Sequence, residues 1–314
     1  MEILKPKILV VGTGAVGGYY AGRLAQAGAH VSALCRSDYA IVKQQGINIR
    51  SISGDFHFIP QTVVSDITDY EFEPEYILIA TKVLPEVNIP EIVKKKVFSH
   101  TAIVLLQNGI EIEEPIASSF PNNEVISAIA FIAASRPSYG VIEHQDFGRI
   151  ILGKYPAGSS ERIERLAQLF KMAGVPCDIE KNIIAARWKK LMWNASFNPI
   201  SVLGGGINTR EMTESETTIH LLKEVMYEII AIAEKSGYVL PQALVEKNIR
   251  DTKTSAIFKT SMLQDFERKN PLEVEAILGN AIRIAVRNNV PVPHIKTLYA
   301  LLKLIDTKLR TKTM

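Results

Sequence analysis

Cysteine is almost missing from this chain of 314 residues: Cys35 and Cys177 are the only two, far apart and in neither a CxxC nor a Cys/His ligand spacing. That excludes a disulfide framework, suggests no metal site, and fits a reducing compartment. No run of about 18 apolar residues occurs, so no membrane-spanning helix is expected. The N-terminal stretch MEILKPKILVVGTG passes straight into a strand pattern, without the separate apolar core and small-residue cleavage site of a secretory signal; a cytoplasmic location is expected. Charge of one sign is scarce too. The 36 Lys and Arg against 33 Asp and Glu leave a formal net charge of +3, spread along the chain except for a small basic cluster in the C-terminal KLIDTKLRTKTM. Nucleic acid and membrane are therefore not expected as partners, and the tail reads as a solvated end.

What is present is the composition of a compact globular protein, 47% hydrophobic and 22% charged, long enough for two domains. In the first half, short apolar runs alternate with helical patterns. Strands are expected at Lys7–Val11, Ala29–Leu34, Tyr76–Ala80, Ala102–Leu106 and Val125–Phe131, with a small-residue helix over Ala15–Ala27 closed by Gly28. Near-continuous apolar runs of this kind belong to a parallel sheet covered on both faces. Around Gly140–Gly153 the pattern suggests an antiparallel edge. After Cys177 long helical stretches take over, at Asn182–Asn198, Ser215–Ser236, Gln242–Asn248 and Pro271–Asn288. The expected architecture is α/β: a doubly wound Rossmann-type domain over residues 1–180 and an all-helical domain over 181–314.

Gly12-Thr13-Gly14-Ala15-Val16-Gly17 follows a strand and opens a helix. In such a GxGxxG loop the first glycine makes the turn, the second admits a pyrophosphate, and the third lets helix and strand pack closely. The pyrophosphate then meets the positive end of the helix. A non-binding glycine turn is the bland alternative. At the end of the second strand, Ala33-Leu34-Cys35-Arg36-Ser37 offers no acid for a ribose hydroxyl before Asp38, and Arg36 offers a guanidinium to a 2′-phosphate. NADP(H) is the expected cofactor. Two further loops, Thr81-Lys82 and Gln107-Asn108-Gly109, follow strands at the edge where such sheets bind ligands, although by themselves they are ordinary loop residues.

Lys190, Asn194 and Asn198 stand at i, i+4 and i+8 and rise along one helix face amid apolar neighbours. Hydride reduction of a ketone leaves an alkoxide, which needs a cation and a proton source, and a partly desolvated lysine supplies both. Spacing alone leaves the alternative open that Lys190 is solvated like Arg187 and Lys189. Likewise Asn270-Pro271-Leu272-Glu273 reads as an N-cap, a proline at the first helical position and a capping-box glutamate.

Taken together, Gly12–Gly17, Arg36, Thr81-Lys82, Gln107-Asn108-Gly109, the stretch KLMWNASFNP from Lys190 to Pro199, and SMLQD from Ser261 with Glu273 twelve residues after that serine, in order over nearly the whole chain, resemble the ketopantoate reductase family. The resemblance implies NADPH-dependent reduction of 2-dehydropantoate to pantoate, a step toward pantothenate and coenzyme A. It implies that Lys190 polarises the ketone and supplies its proton, and that Glu273 holds the lysine and the substrate. Asn108, Asn194, Asn198 and Ser261 would contact the small 2-keto acid, and Lys82, Asn108 and Glu273 would lie by the cofactor. Asn208 matches a further substrate asparagine, in a segment, Gly204–Arg210, that departs from the usual pattern. Thr260 stands where many members carry serine or proline. Competing readings are a related 2-keto acid or β-hydroxyacid dehydrogenase and, from another class, a non-catalytic NADP-binding sensor. Assembly as a homodimer is left open.

Overall fold

The structure, a computed structural model, describes residues 5–311. The chain forms two compact units. The first runs to Lys82 and takes in Val87–Gln107 and Glu113–Ile183; the second consists of Val83–Glu86, Asn108–Ile112 and the chain from Ile184 onward.

The first unit is built on one sheet. Its strands are β1 (Lys7–Val11), β2 (His30–Leu34), β3 (Ile47–Ser51), β4 (Phe56–Phe58), β5 (Val63–Val64), β6 (Tyr76–Ile79), β7 (Ala102–Leu105), β8 (Val125–Ser138), β9 (Val141–Lys154) and β10 (Cys177–Ile179), interspersed with helices α1 (Ala15–Gln26), α2 (Tyr39–Gln45), α3 (Ile89–Val93), α4 (Glu114–Ser119) and α5 (Glu161–Met172). The strand order is β4-β3-β9-β8-β7-β6-β1-β2-β5, with β10 also on β9. From β5 to β8 every neighbour pair is parallel. Alternate residues of β1 enter different cores: Ile8 and Val10 face one, Leu9 and Val11 the other. That is what a period of two does when both faces are covered, and it explains the unbroken apolar runs. Helix α1 is buried at every residue from Gly17 to Leu24, so it needs cover on all sides, and β4, β8 and β9 supply it.

The expected edge near Gly140–Gly153 is antiparallel as read, since β9 pairs that way with β8, but it is not an edge. β3 and β10 both pair with β9 in parallel. The short strand β3, INIRS, was not expected; it earns its place by burying Ile47 and Ile49.

The second unit is helical: α6 (Ile183–Leu203, whose first residue closes the first unit), α7 (Thr209–Glu214), α8 (Glu216–Lys235), α9 (Ala243–Thr254), α10 (Ser261–Glu267), a π-helical turn (Glu275–Gly279), α11 (Asn280–Arg287) and α12 (Pro293–Thr311). Two expectations need correction. The stretch Pro271–Asn288 is not one helix from its proline: helical structure begins at Val274 and opens into the π turn. There the Glu275 carboxylate takes hydrogen bonds from Lys303 at 2.6 Å, Tyr299 at 2.7 Å and Arg283 at 2.9 Å, and lies where a Cβ on Gly279 would be, 2.3 Å from Oε2. Nor is the basic tail simply solvated. Through Thr311 it is helix α12, docked by buried Leu302 and by the Asp306 carboxylate, which accepts from the Leu272 N–H at 2.9 Å and from Arg310 at 2.7 Å. Its last three residues lie outside the described chain.

Candidate active site

The glycine loop leaves β1 and enters α1. Gly12 has φ +97°, and a Cβ there would meet Thr81 at 2.9 Å; a Cβ on Gly17 would come within 2.1 Å of the Gly12 carbonyl. Gly14 is different: a Cβ there would meet nothing within 4 Å, so this side of the loop is open. Gly14 is also the N-cap of α1, which has no side-chain cap and no acidic residue in its first turn, Ala15 and Val16 being its first two residues. An uncapped helix start with an open glycine beside it suits a phosphate group.

Arg36, just beyond β2, is exposed. Asp38, the first acid after that strand, is buried, and its Oδ2 accepts from Thr13 Oγ1 at 2.7 Å and from Arg136 Nη1 at 3.0 Å. The acid that sequence spacing left ambiguous is thus engaged in fixing the loop, through the side chain of Thr13. Gln107, buried at the end of β7, donates from Nε2 to the Thr81 carbonyl at 2.9 Å and ties the Lys82 loop to the one that carries Asn108. Nothing in the sequence spacing marks Arg136, and the spacing of Asp38 and Gln107 does not show these partners.

In the helical unit, Lys190 and Asn108 meet: Nζ donates to Oδ1 at 2.8 Å. Lys190 is largely buried, not solvated, and its pKa falls from 10.5 to about 7. Burial is the main cause; the Arg187 charge adds to it and Glu273 pulls the other way. Glu273 is 8% exposed and accepts from the Val83 N–H at 3.0 Å. The capping-box reading therefore does not hold, because this carboxylate caps a neighbouring loop rather than its own helix. Asn194 is buried one turn above Lys190. Asn198 is 0% exposed and neither its carboxamide oxygen nor its nitrogen has a hydrogen-bond partner among the described residues. A buried carboxamide left unsatisfied costs about 1–3 kcal/mol per group, so it calls for a ligand or another explanation.

Ser201 Oγ donates to the Asn198 carbonyl at 2.7 Å and lies 2.7 Å from Thr260 Oγ1, the N-cap of α10. Since the Ser201 proton is committed, Thr260 donates in that pair. The threonine that departs from the family pattern so joins the start of α10, with exposed Ser261 as its first residue, to the Asn198 turn. Asn208 is not brought into this group by any such contact. It is the N-cap of α7, with Oδ1 accepting from Arg210 N at 2.9 Å and Glu211 N at 3.1 Å in a reciprocal capping box.

With this geometry in place, comparison with known proteins decides the family. The family model described as ketopantoate reductase PanE/ApbA matches residues 8–157, and its C-terminal counterpart matches residues 182–306. The chain belongs to the ketopantoate reductase family. It is 33% identical over 310 residues to a 2-dehydropantoate 2-reductase from Nostoc, covering 97% of each chain. The crystal structure of a 2-dehydropantoate 2-reductase from Methylococcus capsulatus superposes with a TM-score of 0.89 at 44% identity, over 96% of this chain and 97% of that one. A D-mandelate dehydrogenase solved with NADH and anilino(oxo)acetate shares the fold, with a TM-score of 0.89 at 19% identity over 97% and 99% of the two chains. Membership accounts for a sheet unit with a glycine loop and a helical unit with a buried lysine in one chain. Among the described residues, no helix is long and apolar enough to cross a membrane, and no cluster of His, Cys, Asp and Glu has the makings of a metal site.

Proposed function

We propose that this ketopantoate reductase family member reduces 2-dehydropantoate to pantoate with NADPH, a step toward pantothenate and coenzyme A. The observation that carries this reading is Lys190: a largely buried ammonium with a pKa near 7, hydrogen-bonded to Asn108 and placed one turn before Asn194. NADPH supplies the hydride when bound, its pyrophosphate held by Gly12, Thr13, Gly14, Ala15, Val16 and Gly17 and its 2′-phosphate by Arg36. Lys82, Asn108 and Glu273 complete its surroundings in this reading.

Lys190 does the acid work. As the carbonyl carbon gains a hydride, negative charge grows on the oxygen; the ammonium stabilises it and delivers a proton, giving the alcohol. A donor with a pKa near the working pH keeps the charged form populated and gives up its proton readily. Glu273 holds the lysine charge in place. Asn194, Asn198 and Ser261 offer hydrogen bonds to the keto acid, and the unpartnered carboxamide of Asn198 is the strongest support for that role. Asn208 is left to its cap.

The test is NADPH consumption with a panel of 2-keto acids: ketopantoate, smaller branched 2-keto acids and benzoylformate, with β-hydroxyacids in the reverse direction. Ketopantoate is expected to give the highest kcat/KM. Faster turnover of another panel member would replace the substrate, and no turnover of any would favour a nucleotide-binding sensor.

A further inference from the structure

Arg187 precedes Lys190 by one turn of α6 and is 3% exposed. Its Nη1 donates to the Gly109 carbonyl at 3.2 Å, next to Asn108, whose Oδ1 takes the Lys190 ammonium. Consecutive turns of one helix therefore hold consecutive residues of one loop. The loop is pinned from its other side as well. Ile110 N–H donates to the Ala276 carbonyl at 3.2 Å, and its own carbonyl accepts from Asn280 Nδ2 at 2.6 Å. Gly109, at φ +113°, passes so close that a Cβ would sit 2.6 Å from the Ala276 oxygen.

A second buried cation three residues from the first is a costly choice. Like charges at this spacing repel, and burial removes the water that would screen them. An apolar side chain would fill the volume without that cost, so the guanidinium must contribute something that volume does not. We propose that Arg187 is a positioning residue of the reductase site: through the Gly109 carbonyl it fixes Asn108 against the Lys190 ammonium, and through its charge it sets how readily that ammonium gives up a proton. The proposal rests on Lys190 being the proton donor. The charged groups acting on Lys190 are Arg187 on its own helix, which lowers its proton affinity, and Glu273 from the segment before the π turn, which raises it. The two act in opposite directions, and that opposition is what an experiment can read.

The experiment measures the pH dependence of Lys190 labelling by an amine reagent, resolved by mass spectrometry, in the protein without nucleotide or keto acid. The unaltered protein is expected to reach half-reactivity near pH 7. Arg187→Met raises that midpoint by about one pH unit or more, Arg187→Lys restores it, and Glu273→Gln lowers it. In steady state, the plateau kcat of Arg187→Met falls about tenfold or more from the loosened Asn108 loop, with Arg187→Lys recovering most of the loss. Should the methionine variant fail to fold by circular dichroism, Arg187→Gln removes the same charge and carries the test. A midpoint unchanged on loss of the charge, or an undiminished plateau, overturns the proposal. The labelling arm needs no substrate, so it stands or falls separately from the identity of the keto acid.

Discussion

At the glycine loop, function depends on atoms that are absent. A Cβ on Gly17 would lie 2.1 Å from the Gly12 carbonyl, and one on Gly14 would meet nothing within 4 Å. In the proposed reading the binding groups are main-chain N–H groups at this helix start, which has no side-chain cap. Around Lys190 the reverse holds. A buried guanidinium, a largely buried ammonium, a buried carboxylate and an unpartnered carboxamide stand on α6 and its neighbours, each costly without a partner. The difference teaches where each unit is fragile: the sheet unit to added volume, the helical unit to lost or added charge. Nucleotide affinity and chemical turnover should accordingly respond to separate substitutions.

The sharpest way to break that division is Lys190→Ala. Loss of both the charge and the proton source is expected to lower turnover at least 10³-fold, since each effect alone is typically worth about 10²–10³. NADPH affinity, measured by fluorescence titration, should stay near normal, since the phosphate groups are proposed to bind at the glycine loop of the sheet unit. Lys189→Ala, at an exposed position, should remain active. A Lys190→Ala protein that kept more than about a tenth of its turnover, far more than loss of a general acid allows, would remove Lys190 from the mechanism.

Arg36 tests the other side of the comparison with a smaller effect. A partly solvated guanidinium–phosphate contact contributes roughly 1.5–3 kcal/mol, so NADPH is expected to bind about ten- to a hundredfold tighter than NADH. Arg36→Asp should erase or invert that ratio without moving the pH profile of turnover. Asp38 is engaged by Thr13 and Arg136, which is why it is not expected to serve a ribose hydroxyl in its place. Equal dissociation constants for the two cofactors in the unaltered protein would show that Arg36 does not read the 2′-phosphate.

How much of this could be read in the sequence follows the same division. Backbone requirements leave residue-level traces: Gly12, Gly14 and Gly17 after an apolar run are visible as letters, and so are the strands they join. Lys190, Asn194 and Asn198 were visible as a stripe, and family resemblance gave them roles. What spacing does not carry is burial. Arg187 and Lys189 are both basic neighbours of Lys190, yet one is 3% exposed and the other lies at an exposed position, a difference fixed by which helix face packs. Glu273 shows the opposite failure. Asn270-Pro271 is a sound helix-start signal, but the π turn and the Glu275 network at Gly279 shift the helix, so the glutamate is free to take the Val83 N–H instead. Strand β3 was missed because five residues with alternating polarity carry little signal until β9 is beside them.

The smallest effect concerns stability, and its sign follows from Lys190 alone. An unfolded lysine titrates near 10.5, whereas this one titrates near 7 when folded. Between those values the unfolded chain binds more protons than the folded one, so stability rises with pH across the window. Below pH 7 the native state carries the whole cost of a buried ammonium, and Lys190→Met removes it. The methionine variant also differs from the unaltered protein by a constant offset, because Glu273 loses a partner, but an offset has no slope. From pH 6.5 to 9.5 the unaltered protein is therefore expected to gain on the order of 1–2 kcal/mol relative to Lys190→Met, after discounting for partial solvation. Urea denaturation of both proteins at several pH values reads the difference directly. Parallel stability curves would mean that Lys190 titrates near 10.5 in the native state, leaving it charged throughout and no better a proton donor than a lysine on the surface.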